Sequence, residues 1–198
     1  MTGRVIDVDG SPTLSDDEVI KASFNAPESF AVIFDRHGSA IHTYLARRIG
    51  ITMAEDLTGE TFLIAFRRRQ KYNFTETSAR PWLYGIATNL LRRERRVEIR
   101  QYRALARTGV DPAFDGLDEE VLGRVAAEDQ VRRLASALAS LSAREREVLT
   151  LVAQAQLSYA EVSAALGIPI GTVRSRLHSA RQRIFKTVGY QRPRPEGE

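Results

Sequence analysis

Cysteine is absent from this chain of 198 residues, and histidine occurs only three times. Disulfide bonds and cysteine-ligated zinc are therefore excluded, which fits a reducing cytoplasm. His37, His42 and His178 have no metal-ligand spacing, so we expect no metal site. The sequence also lacks a glycine-rich phosphate loop. With no catalytic constellation among its residues, the chain is predicted to be neither an enzyme nor dependent on a cofactor.

Long apolar runs are missing as well. The longest cover only a few residues, far fewer than the roughly 20 that cross a bilayer as a helix. The first residues are polar and acidic, and they contain no hydrophobic core of a signal peptide. Hydrophobic residues make up 43% of the chain, enough for one medium or two small globular domains. We therefore expect a cytoplasmic protein without membrane insertion.

The net charge of +4 is distributed in blocks. Residues 80–107 contain eight arginines against two acids, and residues 170–195 contain seven cationic residues and no acid. Between these blocks, residues 108–130 contain seven acids against one arginine. Two basic blocks flanking an acidic segment favour two surfaces that face nucleic acid, joined by a segment that does not. A solvated charged face remains the ordinary alternative for either block taken alone.

Residues 141–184 predict a helix-turn-helix that is preceded by an extra helix. Ser142 with Glu145, and Ser158 with Glu161, are capping boxes, in which each side chain satisfies a backbone N–H group at a helix start. The second of these helices is expected to stop at Gly167. An ordinary amphipathic helix pair with a solvated basic face is the alternative.

A turn at residues 168–171 follows, because Pro169 cannot continue a helix and Gly171 permits a positive φ. Thr172 is expected to cap a third helix. Its apolar stripe comprises Val173, Leu177, Ala180 and Ile184. Its other faces carry arginines and short polar side chains with no acid, as expected of a helix that enters the major groove of DNA.

The N-terminal part also shows helical periodicity. A helix is expected to start near Asn25–Glu28, another covers residues 53–69, and residues 72–78 form a loop. Ser78 is expected to cap a further helix that continues as far as Arg100 and whose apolar stripe comprises Trp82, Leu83, Ile86, Ala87, Leu90 and Leu91. No segment has the pattern of a strand. The predicted fold is all-α, with two small helical domains joined by a linker.

The domain boundaries follow from these patterns. We predict a flexible acidic tail over residues 1–20, a first domain over residues 21–105 and a linker over residues 106–134. The helix-turn-helix domain covers residues 135–188, and residues 189–198 form a second flexible tail. A helix is expected to resume near Asp118, within the linker.

Two segments in this order resemble bacterial sigma factors. Residues 54–62 (AEDLTGETF) and 80–90 (RPWLYGIATNL) are similar to domain 2 of the sigma-70 family, within its extracytoplasmic-function (ECF) group. Residues 141–184, which include GTVRSRL at 171–177, resemble domain 4 of the same group. The resemblance covers about residues 25–100 and 135–188. It implies an alternative sigma factor that binds core RNA polymerase, recognises −35 and −10 promoter elements and aids DNA melting.

The resemblance also implies roles for individual residues. The residues expected to bind core polymerase are Asp56, Leu57, Glu60 and Phe62. The residues expected to contact the −10 element are Tyr72, Asn73, Phe74, Asn89, Arg92, Arg93, Arg95 and Arg96, with the aromatic loop receiving a flipped base. The residues expected to contact the −35 element are Thr172, Arg174, Ser175, Arg176, His178, Ser179 and Arg181.

Several alternatives stay open from the sequence. Leu57 and Phe62 fit a domain core as well as a polymerase contact, and Phe74 fits a core anchor of the loop. Many family members have Asp at the position of Arg93 and Arg at that of Ser179, so these contacts do not carry over directly. A conventional helix-turn-helix regulator with an N-terminal sensing domain is the alternative function, and an adaptor that titrates polymerase or another sigma factor is a third reading. The resemblance also implies an anti-sigma factor as a further partner, which family members commonly have.

Overall fold

The computed structural model describes residues 14–74, 78–109 and 121–188, with side chains from residue 128 onward in the last range. The helices of these ranges are α1 (Asp16–Ala22), α2 (Ala31–Ile49), α3 (Ile51–Arg68), α4 (Arg80–Arg93), α5 (Arg95–Thr108), α6 (Val121–Ser140), α7 (Ala143–Ala153), α8 (Tyr159–Leu166) and α9 (Ile170–Val188). Short 3-10 helices cover Pro27–Phe30 and Arg69–Lys71. The described residues contain no strand, so the predicted all-α class is confirmed.

The predicted tails and linker lie partly outside the described residues, at positions 1–13, 110–120 and 189–198. The assignment of residues 16–20 to a flexible tail is wrong. Ser15 and Glu18 form a capping box that starts α1, and Ile20 is fully buried. The acidic composition predicts a flexible tail here, whereas Asp16 is buried and accepts hydrogen bonds from Arg36 and the Ala79 N–H.

The basic helix expected to run from Ser78 to Arg100 is two helices. α4 ends at Arg93 because Glu94 leaves the helical conformation at φ −94° and ψ 20°, and α5 starts at Arg95. The N-cap of α4 is Ala79, although the Ser78 hydroxyl does accept the Arg80 N–H. The break is a single residue long, so α5 follows α4 directly.

The helix-turn-helix forms with one difference from the prediction. Both capping boxes are present at the starts of α7 and α8, and Gly167 ends α8 in the left-handed conformation at φ 62°. α9 starts at Ile170, two residues before the predicted cap. Gly171 and Thr172 therefore lie in its first turn, and Gly171 has no positive φ. The Pro169 carbonyl accepts the N–H groups of Thr172 and Val173, which fixes this earlier start.

The two halves of the chain pack against each other across α4 and α8. A single apolar core joins residues of α2, α3 and α4 with residues of α7, α8 and α9. At the contact, a Cβ atom built on Gly85 would lie 2.6 Å from the Ala165 carbonyl oxygen, so the two helix backbones approach as closely as glycine allows. This compact arrangement decides which surfaces of the two domains face solvent.

Candidate promoter-binding surfaces

The recognition helix α9 presents one packed and one exposed face. Val173, Leu177 and Ala180 are buried and Ile184 is partly buried, as the predicted apolar stripe requires. Five of the residues predicted to contact the −35 element are exposed, namely Arg174, Ser175, His178, Ser179 and Arg181. They form a cationic, hydrogen-bonding face without a carboxylate on α9 itself.

Two arginines of α9 are less available than the rest. Arg176 is half-buried and lines a cavity of about 560 Å³ together with Arg92, Arg95 and Glu147. Arg183 lies 3.4 Å from the Glu145 carboxylate at the start of α7. Thr172 is also half-buried. The compact arrangement therefore turns one flank of the recognition helix toward the N-terminal half.

Burial raises the pKa of Glu145, but the Ser142 hydroxyl and backbone N–H donate to its carboxylate and Arg183 lies beside it. The net effect holds the pKa of Glu145 below its usual value. The capping carboxylate of α7 thus stays ionised at neutral pH and keeps its contact with α9.

The arginines predicted to meet the −10 element have different surroundings. The Arg92 guanidinium donates to both Glu147 oxygens at 2.8 and 2.9 Å, and to the Asn89 side-chain oxygen at 2.8 Å. Its pKa is raised by the hydrogen bonds to Glu147. Glu147 is buried and belongs to α7. The helix-turn-helix half thus holds a residue that is expected to contact DNA.

The remaining residues of this set lie at the surface. Arg93, Arg95 and Arg96 are exposed, as is Asn89. The Arg93 guanidinium lies 3.7 Å from the Glu60 carboxylate, an exposed pair that contributes little to stability. Glu60 belongs to the residues expected to bind polymerase, so the two predicted surfaces meet along α3 and α4.

The aromatic loop is anchored to the N-terminal domain. Tyr72 is buried, and its hydroxyl donates to Asp17 at 2.9 Å. The Phe74 ring lies edge-on to Tyr72 and to Phe24, with the Lys21 ammonium 4.8 Å from its centroid. Tyr72 therefore lies in the core of the loop, while Asn73 is exposed and Phe74 is half-buried. Of the three, Asn73 is the most exposed and Phe74 keeps part of its surface exposed.

The helix expected to dock on polymerase has a buried and an exposed side. Leu57 and Phe62 lie in the core, and the Phe62 ring packs at 71° against Phe34, with 4.9 Å between ring centroids. Asp56 is exposed and the Glu60 side chain is 43% exposed. Of these four residues, only Asp56 and Glu60 face outward, whereas Leu57 and Phe62 pack inside the domain.

Sequence reasoning missed a buried ionic cluster between the halves. Glu98 of α5 accepts a hydrogen bond from Arg48 of α2 at 2.6 Å and one from Arg146 of α7 at 2.9 Å. Arg146 also donates to the Leu138 and Leu141 carbonyl oxygens. Burial alone lowers the pKa of Arg48, but the adjacent Tyr44 and Glu98 raise it above its usual value. The only signal for the cluster was Glu98 standing alone in an arginine-rich helix.

Within the described ranges, no group of three or more His, Cys, Asp or Glu residues is arranged to hold a metal ion. Nor does any helix there combine the length and apolar character needed to cross a membrane.

Two helical domains, one of them a helix-turn-helix with an exposed cationic face and the other with an arginine-rich helix, define a DNA-binding protein. Residues 33–101 match the family model of Sigma-70 region 2, and residues 132–184 match that of Sigma-70, region 4. The ECF RNA polymerase sigma factor SigL of Mycobacterium tuberculosis is 34% identical over 158 residues, which cover 79% of this chain and 86% of that protein. The chain belongs to the ECF group of the sigma-70 family. It is an alternative sigma factor that binds core RNA polymerase and directs initiation at promoters.

Two solved structures have the same fold. CnrH in complex with the cytosolic domain of CnrY has a TM-score of 0.62 at 23% identity, covering 88% of this chain and 97% of that one. The sigma factor RpoE in complex with the anti-sigma factor NepR from Bartonella quintana has a TM-score of 0.57 at 23% identity, covering 83% and 99%. At this identity, the likeness concerns the fold alone.

Proposed function

We propose that promoter recognition is divided between the exposed face of α9 and the basic surface around α4 and the start of α5. The observation that carries this division is the acid-free polar face of α9, which remains exposed while its apolar stripe is packed. Ser175, His178 and Ser179 present short polar side chains that can hydrogen-bond to base edges, and Arg174 is placed to neutralise a phosphate. We assign this face to the −35 element.

The surface assigned to the −10 element contains Asn89, Arg92, Arg93, Arg95 and Arg96, together with Asn73 and Phe74 of the loop. Arginines supply the contacts to phosphates, while an aromatic face beside a hydrogen-bonding amide suits an unstacked base. Tyr72 anchors the loop to α1 through its hydrogen bond to Asp17. Asp56 and Glu60 form the acidic surface for core polymerase, and the buried side chains of Leu57 and Phe62 support this part of α3. These surfaces bind and position DNA and polymerase, and the proposal assigns the chain no enzymatic step of its own.

The compact arrangement has to open before both elements are bound. Positions −35 and −10 are about 25 base pairs apart, which is roughly 85 Å at about 3.4 Å per base pair. In the structure, Arg92 of the −10 surface and Arg176 of the recognition helix α9 line the same cavity. Arg92 is also engaged by Glu147. We therefore propose that the compact form is inactive on promoters and that binding to core polymerase separates the domains.

A protein that stabilises the compact form would keep the factor inactive. RpoE, which shares this fold, was solved with an anti-sigma factor. We propose a partner of this kind for the present chain, acting in the cytoplasm where polymerase and promoter DNA are found. Such a partner would compete with core polymerase, and adding purified core should release it.

Run-off transcription tests the proposal. Purified chain and core polymerase together should give transcripts from a cognate promoter, and neither component should do so alone. A variant with Asp56→Ala and Glu60→Ala should lose binding to core while its helical content stays unchanged. Specific binding to duplex DNA by the free chain, together with no stable complex with core, would instead favour a conventional regulator.

A further inference from the structure

α5 carries an arginine stripe that extends beyond the residues assigned to the −10 surface. The stripe consists of Arg96, Arg100, Arg103 and Arg107, all exposed. At about 100° per residue, spacings of four, three and four place them within an arc of about 60° on one side of the helix. At about 1.5 Å per residue, the stripe is roughly 16 Å long, with about 4.5–6 Å between successive members.

Nothing negative in α5 offsets these charges. The only acid within the helix is Glu98, which is turned inward and held by Arg48 and Arg146. None of the ion pairs formed within the described ranges includes a member of the stripe. Like charges at this spacing repel one another and weaken a helix slightly. A polyanion along the stripe would remove that repulsion.

The element beside the stripe is neutral where the two helices meet. Arg100, Arg103 and Arg107 line a groove of about 910 Å³ between α5 and α6. On the α6 side, the groove is lined by small side chains, namely Ser136, Ala139 and Ser140. The acids of α6 that are described, Glu128 and Asp129, pair with arginines of α6 itself. The groove thus has a cationic wall and a small, uncharged opposite side.

We propose that the α5 stripe binds the backbone phosphates of promoter duplex immediately upstream of the −10 element. This inference rests on the proposed −10 surface, since the stripe starts at Arg96 and leads away from it. Its length corresponds to about five base pairs of duplex at about 3.4 Å each. Duplex DNA fits because its phosphates repeat along a line, whereas folded proteins rarely offer an unbroken row of anions. The contact reads no sequence, because it involves phosphates only.

The stripe also differs from Arg92 in its availability. Arg92 is held by Glu147 in the compact form, whereas none of the four stripe arginines takes part in an ion pair within the described ranges. The stripe therefore provides a first, sequence-independent contact with DNA that does not require opening of the domains. The contacts at the −10 surface would follow once the domains separate.

The test uses holoenzyme reconstituted with core polymerase and measures the salt dependence of its association with a cognate promoter fragment. Arg100→Gln, Arg103→Gln and Arg107→Gln should each lower the slope of log K against log salt by about 0.9, and the triple variant by up to about 2.7. Arg133→Gln is the matched control, because Arg133 is exposed but already paired with Asp129. Its slope should equal that of the wild type. Arg96 is left unchanged, since it belongs to the −10 surface.

Neutral methylphosphonate linkages in the spacer just upstream of the −10 element supply the second arm. On this DNA, wild type and the triple variant should have equal slopes. A slope difference that persists would overturn the proposal and place the contact on another polyanion, such as RNA. An unchanged slope for the triple variant on ordinary DNA would overturn it as well. Asn89→Ala tests the −10 surface separately, through −10 sequence preference, so that failure of either proposal can be told from failure of the other.

Discussion

Replacing Gly85 with alanine should loosen the contact between the two domains. The new Cβ atom would lie 2.6 Å from the Ala165 carbonyl oxygen and 3.4 Å from its Cα, and both belong to backbone that cannot rotate away. Overpacking of this kind costs about 1–3 kcal/mol. The gain in helix propensity, about 1 kcal/mol, is the same in the compact and the open form and so cancels between them. The equilibrium should therefore shift toward the open form by a factor of about 5–150.

The absence of cysteine makes this shift measurable by fluorescence energy transfer. Ser39→Cys on α2 and Thr187→Cys on α9 introduce two exposed labelling sites, one in each half. Gly85→Ala should lower the transfer efficiency of the free chain and raise its affinity for −10 DNA. Gly59→Ala is the control, because a Cβ atom there meets nothing within 4 Å. It should leave the transfer efficiency unchanged.

The opposite outcome would be equally clear. If the backbones of α4 and α8 did not meet in solution, Gly85→Ala would behave like Gly59→Ala. Both would then raise the free energy of unfolding by about 1 kcal/mol, and neither would change the transfer efficiency. That result would refute the close packing at Gly85 and, with it, the compact arrangement that is proposed to be inactive.

Three further predictions concern the anchor of α1, the ion pair between the halves and the recognition helix. Burial raises the pKa of the Asp16 carboxyl, but hydrogen bonds from His37 and the Ala79 N–H hold it well below its usual range. The ionised Asp16 carboxylate should thus stabilise the fold above about pH 4, and this stabilisation should be lost as the pH falls further. Asp16→Asn should lower the free energy of unfolding by about 1–3 kcal/mol at pH 7 and make that free energy less dependent on acid pH. Parallel pH curves for wild type and variant would contradict this. Glu147→Gln should release Arg92 and raise the affinity of the free chain for −10 DNA by roughly tenfold, at about 1.4 kcal/mol, as judged by fluorescence anisotropy; an unchanged affinity would show that the pair does not restrain the arginine. In a −35 promoter library, alanine variants of Ser175, His178 and Ser179 should change the preferred sequence, at about 1–3 kcal/mol per lost base contact. Arg174→Ala should instead weaken binding to all sequences alike, and the reverse result would exchange these roles.

Features set by nearby residues were predictable from the sequence. The capping boxes at Ser142 and Ser158 and the buried stripe of α9 depend on contacts three or four positions apart, and the structure contains them. The same signature at Ser15 and Glu18 starts α1, within residues 1–20 that the acidic composition predicts to be a flexible tail. At this position the local capping pattern is a better guide to the structure than the composition.

Features set by distant residues were not predictable in this way. Gly85 appears in the sequence as a residue that weakens a helix, and only its approach to Ala165 explains it. Arg92 fits a phosphate contact by composition, but a carboxylate 55 positions away determines its surroundings in the compact form. Tyr72 belonged to an aromatic loop whose buried and exposed members no periodic pattern could separate. In each case, the packing of one domain on the other, or of the loop on α1, decides the outcome.

The ionic cluster at Glu98 explains how such an interface can open at limited cost. Leaving a buried charge without a partner costs about 3–5 kcal/mol, so a cluster that lost all partners on opening would lock the domains together. Here Glu98 and Arg48 belong to the same domain and stay paired when α7 departs. Arg146 keeps the Leu138 and Leu141 carbonyl oxygens, which lie on its own side. Within this cluster, opening therefore breaks only the contact between Arg146 and Glu98, and it leaves each of the three charges a partner. The cluster thus makes the pairing of the domains specific without leaving any of its own charges unpartnered when the domains separate on polymerase.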